Sequence, residues 1–293
     1  MINIWLSRYT KLLAAATFLL ILAGGLVTST QSGLSVPDWP LSYGKLMPKM
    51  VGGIRFEHTH RMVATLVGLM TLVLTFWIGL TEKRRWLRWS GIAVFGMVVL
   101  QGILGGLTVL YLLPAPISIF HACLAQTFFA FVVGMAYFTS REWASAKVLP
   151  PIDFLFLRKT LWLLLILIYL QLILGATLRH TANHFVLISH IGSAFLVVFH
   201  AGLILRFVFD HASGEKRLVT PSVLFGVLTL LQLGLGMGAF IYTIILEKAG
   251  VEPGFTKVAF VTLHQTLGVL LLATVFFLIL RVYRLSDSWK ESF

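Results

Sequence analysis

The chain has 293 residues, 58% of them apolar and 12% charged, which is far more apolar surface than a soluble core of that length can bury. An ordinary soluble domain is excluded. The formal net charge of +12 does not mark a nucleic-acid partner, because the basic residues cluster beside apolar runs as they do in the cytoplasmic loops of membrane proteins.

Apolar runs of spanning length lie near 12–30, 58–80, 90–112, 117–139, 159–178, 186–208, 219–244 and 258–280, which predicts an all-α integral membrane protein with eight transmembrane helices. The first run follows Arg8 and Lys11 as a signal peptide would. It is too long, however, and ends in Thr28, Ser29, Thr30 and Gln31 without a small-x-small cleavage site, so it is kept as a helix. With the N-terminus inside, Lys and Arg number two before the first span, four in 81–89, four in 140–159, three in 206–217 and three in 281–293, sixteen in all. The outer side holds seven: Lys45, Lys49, Arg55, Arg61, Arg179, Lys248 and Lys257. The excess places both termini in the cytoplasm.

The first outer connection, about 31–57, contains Ser32-Gly-Leu-Ser-Val-Pro-Asp-Trp-Pro-Leu-Ser42 and is too long for a simple turn. Trp39 and its flanking prolines predict an ordered segment at the membrane interface. The second span opens on Glu57-His58-Thr59-His60-Arg61; on a helix, residues 57, 60 and 61 share a face and His58 points elsewhere. By position alone, Glu57 can act as a base or stabilise developing positive charge. It can equally be a Glu reaching to the interface, with Arg61 on a lipid phosphate.

Gln101-Gly-Ile-Leu-Gly105, Gln171-Leu-Ile-Leu-Gly175 and Gln232-Leu-Gly-Leu-Gly236 share a Gln-x-x-Leu-Gly pattern. They fall in the third, fifth and seventh spans. A Gln in lipid needs an interhelical partner and glycines admit close backbones, so packing explains the glycines, while the recurrence supports a duplicated four-helix unit. The single cysteine, Cys123, lies in the fourth span, where it is expected to be a small packing residue and can form no intramolecular disulfide. The polar segment with Arg141, Glu142, Lys147, Pro150, Pro151 and Asp153 divides the spans four and four. The expected organisation is two pseudo-repeated four-helix bundles, an N-terminal half 1–140 and a C-terminal half 159–293, joined by a cytoplasmic linker 141–158. The last outer connection, near 245–257, carries Glu247, Lys248, Glu252, Pro253 and Gly254 and reads as solvated.

Nine histidines are present, and four are the most informative feature of the chain. His60, His121, His190 and His264 lie a few residues into spans two, four, six and eight, which all run from outside to inside, so their rings come to similar depth near the outer face. Each half supplies two. Paired imidazoles on facing helices of a bundle can take both axial positions of a haem iron. Any one of them alone reads more plainly as a ring with a satisfied hydrogen bond, but four at matched depth favour ligands. Zinc or copper remains an alternative, less suited where paired cysteines and tight carboxylate clusters are lacking. His200 reads as a packing or hydrogen-bonding residue, His180 and His184 as a solvated loop pair or a surface metal clip, and His211 as cytoplasmic and uninvolved.

At this point the pieces resemble the haem A synthases, over nearly the whole chain. Gly25-Leu-Val-Thr-Ser-Thr-Gln-Ser-Gly-Leu-Ser-Val-Pro-Asp-Trp-Pro40 looks like that family's first outer loop, and Glu57-x-x-His60-Arg61 like its second-helix motif. Phe120-His121, His190 and Leu263-His264-Gln265 match its later helices. The resemblance implies conversion of haem O to haem A, in which the methyl at ring position eight is oxidised twice and the gem-diol loses water to leave a formyl group. It implies that His60 and His121 flank the iron of the substrate haem beside Arg61, that His190 and His264 ligate a permanent haem b, and that Glu57 stands near the reacting methyl as the catalytic residue. The product serves terminal oxidases, so the expected partners are haem O, haem O synthase, oxidase assembly proteins and a second copy of the chain. The expected place is the inner (plasma) membrane, with the haem sites toward the outer face.

One departure matters. Many members have two cysteines in the first outer loop where this chain has Val36 and Ser42, so no loop disulfide can relay electrons here, and they leave by another route, through haem b to a quinone or partner. Two competing classes are a bis-histidine membrane cytochrome b passing electrons to or from quinone, which needs no carboxylate beside an exchangeable haem, and a repeat-built transporter using histidines as proton relays, which purifies without haem.

Overall fold

The computed structural model describes residues 3–149, 152–246, 249–250 and 254–286. Among them there is no β-strand, only an isolated bridge between Ser42 and Lys45. Eight helices are long and apolar enough to cross a membrane, as expected. They are α1 (Ile4–Ser29), α2 (Ile54–Thr81), α3 (Arg85–Leu110), α4 (Ala115–Phe138), α6 (Phe154–Thr181), α7 (His184–Ala212), α8 (Lys216–Phe240) and α9 (Phe255–Leu285), with a short α5 (Arg141–Ser145) after the fourth. A π-helical turn at Ile241–Ile245 prolongs α8.

Most of the helices outrun the apolar stretches that announced them. An apolar run marks only the length in contact with lipid, whereas the helix continues through polar turns until its end groups are satisfied. Asn3 caps α1 by accepting from the Leu6 N–H, Asp153 caps α6 through Phe156, and Asn183 caps α7 through Phe185 and Val186. Buried hydroxyls are satisfied locally too: Thr17, Thr71 and Thr229 each donate to the carbonyl one turn back.

Helix α1 packs on α2 and α4, and α3 on α2 and α4; α6 packs on α7 and α9, and α8 on α7 and α9. Contacts of α9 with α1 and α4, and of α4 with α6, join the two sets. The central positions of α4 and α9 show in burial, 44% and 56% of their apolar windows against 17–28% for the other spans. Ile21, Phe129, Val269 and Ala273 form the apolar contact between the sets. Two of the four singled-out histidines therefore ride on central helices and two on peripheral ones.

The connection that follows α4 docks on the bundle. Trp143 of α5 is buried among Trp86, Tyr137 and Phe138. Glu142 pairs with Arg281 of α9 at 2.6 Å, and the Leu149 N–H donates to the Leu285 carbonyl. Arg281 is itself buried over the Phe277 ring, so an acid from the connection neutralises a cation that the last span could not leave unpaired. Pro150, Pro151, Glu247, Lys248, Glu252 and Pro253 lie outside the described residues.

Candidate functional site

The four histidines sit at equivalent places. His60, His121 and His190 are each the seventh residue of their helix and His264 the tenth, at the starts of α2, α4, α7 and α9. Every one of the four rings lies against a glycine of a neighbouring helix. A methyl group built on Gly24 would stand 3.0 Å from His60 Cε1, on Gly105 3.5 Å from His121 Cε1, on Gly175 3.2 Å from His190 Cε1, and on Gly236 2.9 Å from His264 Cε1. Any side chain at Gly24 or Gly236 displaces the ring it faces.

The glutamines one turn before three of those glycines hold the histidines in place. Gln101 Nε2 donates to the His121 carbonyl at 2.9 Å, and Gln171 Nε2 donates to the His190 carbonyl at 2.9 Å. At His264 the partner is reversed: Nδ1 lies 3.2 Å from the Gln232 carbonyl oxygen, which can only accept. That bond places the proton on Nδ1, the tautomer a metal-binding imidazole needs, and leaves Nε2 as an acceptor facing the Gln232 side-chain amide at 3.5 Å. The Gln-x-x-Leu-Gly pattern is therefore a histidine cradle, Gln fixing the residue and Gly making room for its ring. Only α1 departs, with Leu20 one turn before Gly24.

His190 and His264 face each other with ring centres 6.2 Å apart and planes at 83°. With metal–imidazole bonds of about 2 Å, two nitrogens flanking one metal ion lie about 4 Å apart and the ring centres roughly 1 Å further out on each side, so this separation fits a shared axial metal. The Nδ1 atoms of His60, His121 and His190 are buried without a hydrogen-bond partner. No group of three His, Cys, Asp or Glu that could hold a bare metal ion occurs among the described residues; His180 lies in the last turn of α6 and His184 opens α7. Two-imidazole sites of this kind suit an iron whose other four positions come from a porphyrin. His200 bonds through Nδ1 to the Leu196 carbonyl of its own helix, and His211 likewise to Phe207.

A clamp fastens the first outer loop over the start of α2. Glu57 is buried, with Oε2 accepting the Val36 N–H at 2.8 Å and Oε1 paired to Arg61 at 2.6 Å. Arg61 also donates to the carbonyls of Asp38, Leu41 and Val36. Glu57 thus does not reach for the interface, and Arg61 spends its donors on the loop. His58 is buried as well, its Nδ1 2.8 Å from Ser42 Oγ. Val36 and Ser42 of the loop are both buried, each tied to the opening turn of α2. The loop's far side is closed by Asp38, which accepts the N–H groups of Tyr43 and Gly44. The backbone donors of Gly44 and then Tyr43 hold its carboxyl below the ordinary carboxylate range, so the turn is intact at neutral pH and loosens as acid protonates that group. Trp39 rests on Gly106, the residue beside the Gly105 that receives His121. Loop and first histidine pair are one assembly.

A family model described as cytochrome oxidase assembly protein, COX15-CtaA, matches residues 7–52 and 53–189, more than half of the chain. The chain belongs to this family. The matched residues include Glu57, His60, Arg61 and His121 and stop one short of His190. Among curated proteins, it is 31% identical over 176 residues to a Heme A synthase of Symbiobacterium thermophilum, covering 57% of this chain and 56% of that one. It is 28% identical over 179 residues to a Heme A synthase of Exiguobacterium sibiricum, covering 60% and 59%, and 25% identical over 253 residues to that of Bacillus pumilus, covering 77% and 82%. The chain thus matches little more than half the length of the first two of these relatives. The expected kinship with haem A synthases holds.

Sequence reasoning missed Gly24 as the seat of His60, the Ser42–His58 contact, and the placement of Arg179, whose Nη atoms reach Gln265 and Ser29. The recurring Gln-x-x-Leu-Gly was the one signal that reached the other seats. Cys123 is a buried free thiol, consistent with packing.

Proposed function

We propose that the protein is a haem A synthase, oxidising the ring-position-eight methyl of haem O to a formyl group. The observation that carries this reading is the fourfold repetition of one device, a histidine near a helix start laid on a glycine of the next helix, in a chain of this family. His60 and His121 flank the iron of the substrate haem in a first half, 1–140, and His190 and His264 hold haem b in a second, 159–293. The helix packing supports that division, with 141–158 as the connection. Haem b, when bound, supplies one-electron redox chemistry.

The protein's own groups orient and shield. The clamp of Glu57 and Arg61 holds the loop carrying Trp39 over the first site, excluding water from it except where the reaction needs one. Two of the carboxylate's lone pairs are engaged by Val36 and Arg61, which leaves its remaining acceptor capacity for a proton released at the methyl. The Lys and Arg distribution supports cytoplasmic termini in the plasma membrane and histidine pairs toward the outer face. The family description supports a place in cytochrome oxidase assembly; haem O synthase and oxidase assembly factors are the partners this reading assigns.

The test is pigment extraction from cells that make haem O but have no other haem A synthase, with and without this chain. Haem A, preceded by a hydroxylated intermediate, is expected only with it. Haem O left unconverted beside a well-formed low-spin haem would make the protein an electron carrier and overturn the reading. The glycine seats give a second expectation. Gly236→Val drives a side chain into the His264 ring and should lower haem b affinity by roughly 10–100-fold, as loss of a ligand's support commonly does. Gly234→Val meets nothing within 4 Å and should retain wild-type haem per protein; equal occupancy in the two variants would remove the seat from the argument.

A further inference from the structure

Arg179 is a cation inside a spanning helix whose partners are all neutral. Its Nη1 donates to Gln265 Oε1 at 3.3 Å and its Nη2 to Ser29 Oγ at 3.0 Å. Ser29 is in turn held by the Thr262 hydroxyl at 2.8 Å. Among the described residues, no carboxylate lies within ion-pair distance of it, although Arg61, Arg84, Arg206, Arg217 and Arg281 all have one. A half-buried guanidinium with neutral partners is costly in a low-dielectric setting and favours an anion beside it.

Its position says which anion. Arg179 follows Gly175 by four residues, so it stands on the same helix face about 5–6 Å nearer the helix end. Gly175 is the seat of His190, and Gln265, which Arg179 holds, is the residue after His264. The guanidinium therefore stands one helical turn from the seat of His190 and bonds the chain neighbour of His264. In the other two copies of the cradle the matching residues are Val109 and Phe240, so the cation belongs to this pair alone. The C-terminal carbonyls of α6 favour a cation in its last turn. They do not explain why the side chain turns inward onto α1 and α9 instead of reaching out to lipid headgroups.

We propose that Arg179 is the carboxylate-binding residue of the second site, taking a propionate of the haem held by His190 and His264, with Gln265 and Ser29 fixing its fork. Two of its five N–H donors are spent on those neighbours, and the planar guanidinium offers the rest to a carboxylate in the geometry it matches best. The inference rests on the haem b reading. Arg179 is a positioning and tuning residue, not a catalytic one.

The experiment uses the full chain purified with haem b and without haem O, as wild type, Arg179→Gln and Arg179→Lys. Two properties are measured: the midpoint potential of the low-spin haem, and the rate at which haem passes to apomyoglobin. Arg179→Gln should lower the potential, because removing a nearby positive charge favours the more positive oxidised haem. It should also speed haem loss by at least about tenfold, while the position of the low-spin bands stays put because both axial ligands remain. Arg179→Lys should keep most of the potential and lose haem at an intermediate rate. If Arg179→Gln does not accumulate, the Lys variant carries the test, and a wild-type release rate in it overturns the proposal. A change seen only once haem O is supplied would assign the carboxylate to the first site and overturn it as well. Absence of low-spin haem from the wild type defeats the haem b reading itself, whereas haem that depends on His190 and His264 but is indifferent to Arg179 defeats this inference alone.

Discussion

Replacing His190 or His264 with Ala is expected to abolish the low-spin haem spectrum of the purified protein. The two rings stand 6.2 Å apart, close enough to hold one metal ion between them. His264 is held in one tautomer by the Gln232 carbonyl, and His190 is fixed through its own carbonyl by Gln171. Truncation to Ala removes a ligand without adding bulk, so α7 and α9 keep their packing while the iron loses one of two protein bonds. The loss should be nearly complete in either single variant, since one remaining imidazole gives at best a weakly held five-coordinate haem. His200→Ala is the matched control: it lies on the same helix as His190 but bonds to its own backbone at Leu196, and it should leave the spectrum unchanged. Reduced-minus-oxidised spectra of the three variants decide the matter. A wild-type low-spin signal in both His190→Ala and His264→Ala would sink the assignment of the second site.

These histidines are legible in the sequence because an imidazole inside an apolar run has few cheap explanations, and four of them at one depth have fewer. The eight spans are legible for a similar reason: apolar length is a local property. What resists reading is the partner across the helix interface. Gly24 belongs to no repeat, yet it seats His60 as Gly105 seats His121. Glu57 and Arg61 announce themselves as a helical pair, but their other partners are the backbone groups of Val36, Asp38 and Leu41, some twenty residues back, and a backbone group leaves no trace in residue identity. In the sequence Arg179 is one outer charge among seven. Its meaning comes from Gln265 and Ser29, which the fold brings to it from the last and first spans.

Glu57→Gln is expected to collapse haem A formation while leaving haem b in place. The substitution preserves size and retains one oxygen able to accept the Val36 N–H, but it removes the negative charge that pairs with Arg61. If that charge takes a proton from the methyl or from attacking water, the loss should be on the order of 10²–10⁴-fold in haem A produced. The competing role is mechanical, because the same carboxylate clamps the loop that carries Trp39 over Gly106. The two roles separate by comparison with Arg61→Gln. That variant breaks the same ion pair and frees the carbonyls of Asp38, Leu41 and Val36, so it damages the clamp more than Glu57→Gln does, yet it leaves the carboxylate. A chemical role for Glu57 predicts less haem A in Glu57→Gln than in Arg61→Gln, with the loop more open to protease in Arg61→Gln. Both variants should keep the low-spin spectrum of the second site, which shares no residue with the clamp. The measurement is the ratio of haem O, hydroxylated intermediate and haem A in extracted pigment, alongside limited proteolysis of the loop. Equal haem A loss in the two variants, tracking loop cleavage, would make Glu57 an anchor for the loop and not a participant at the methyl.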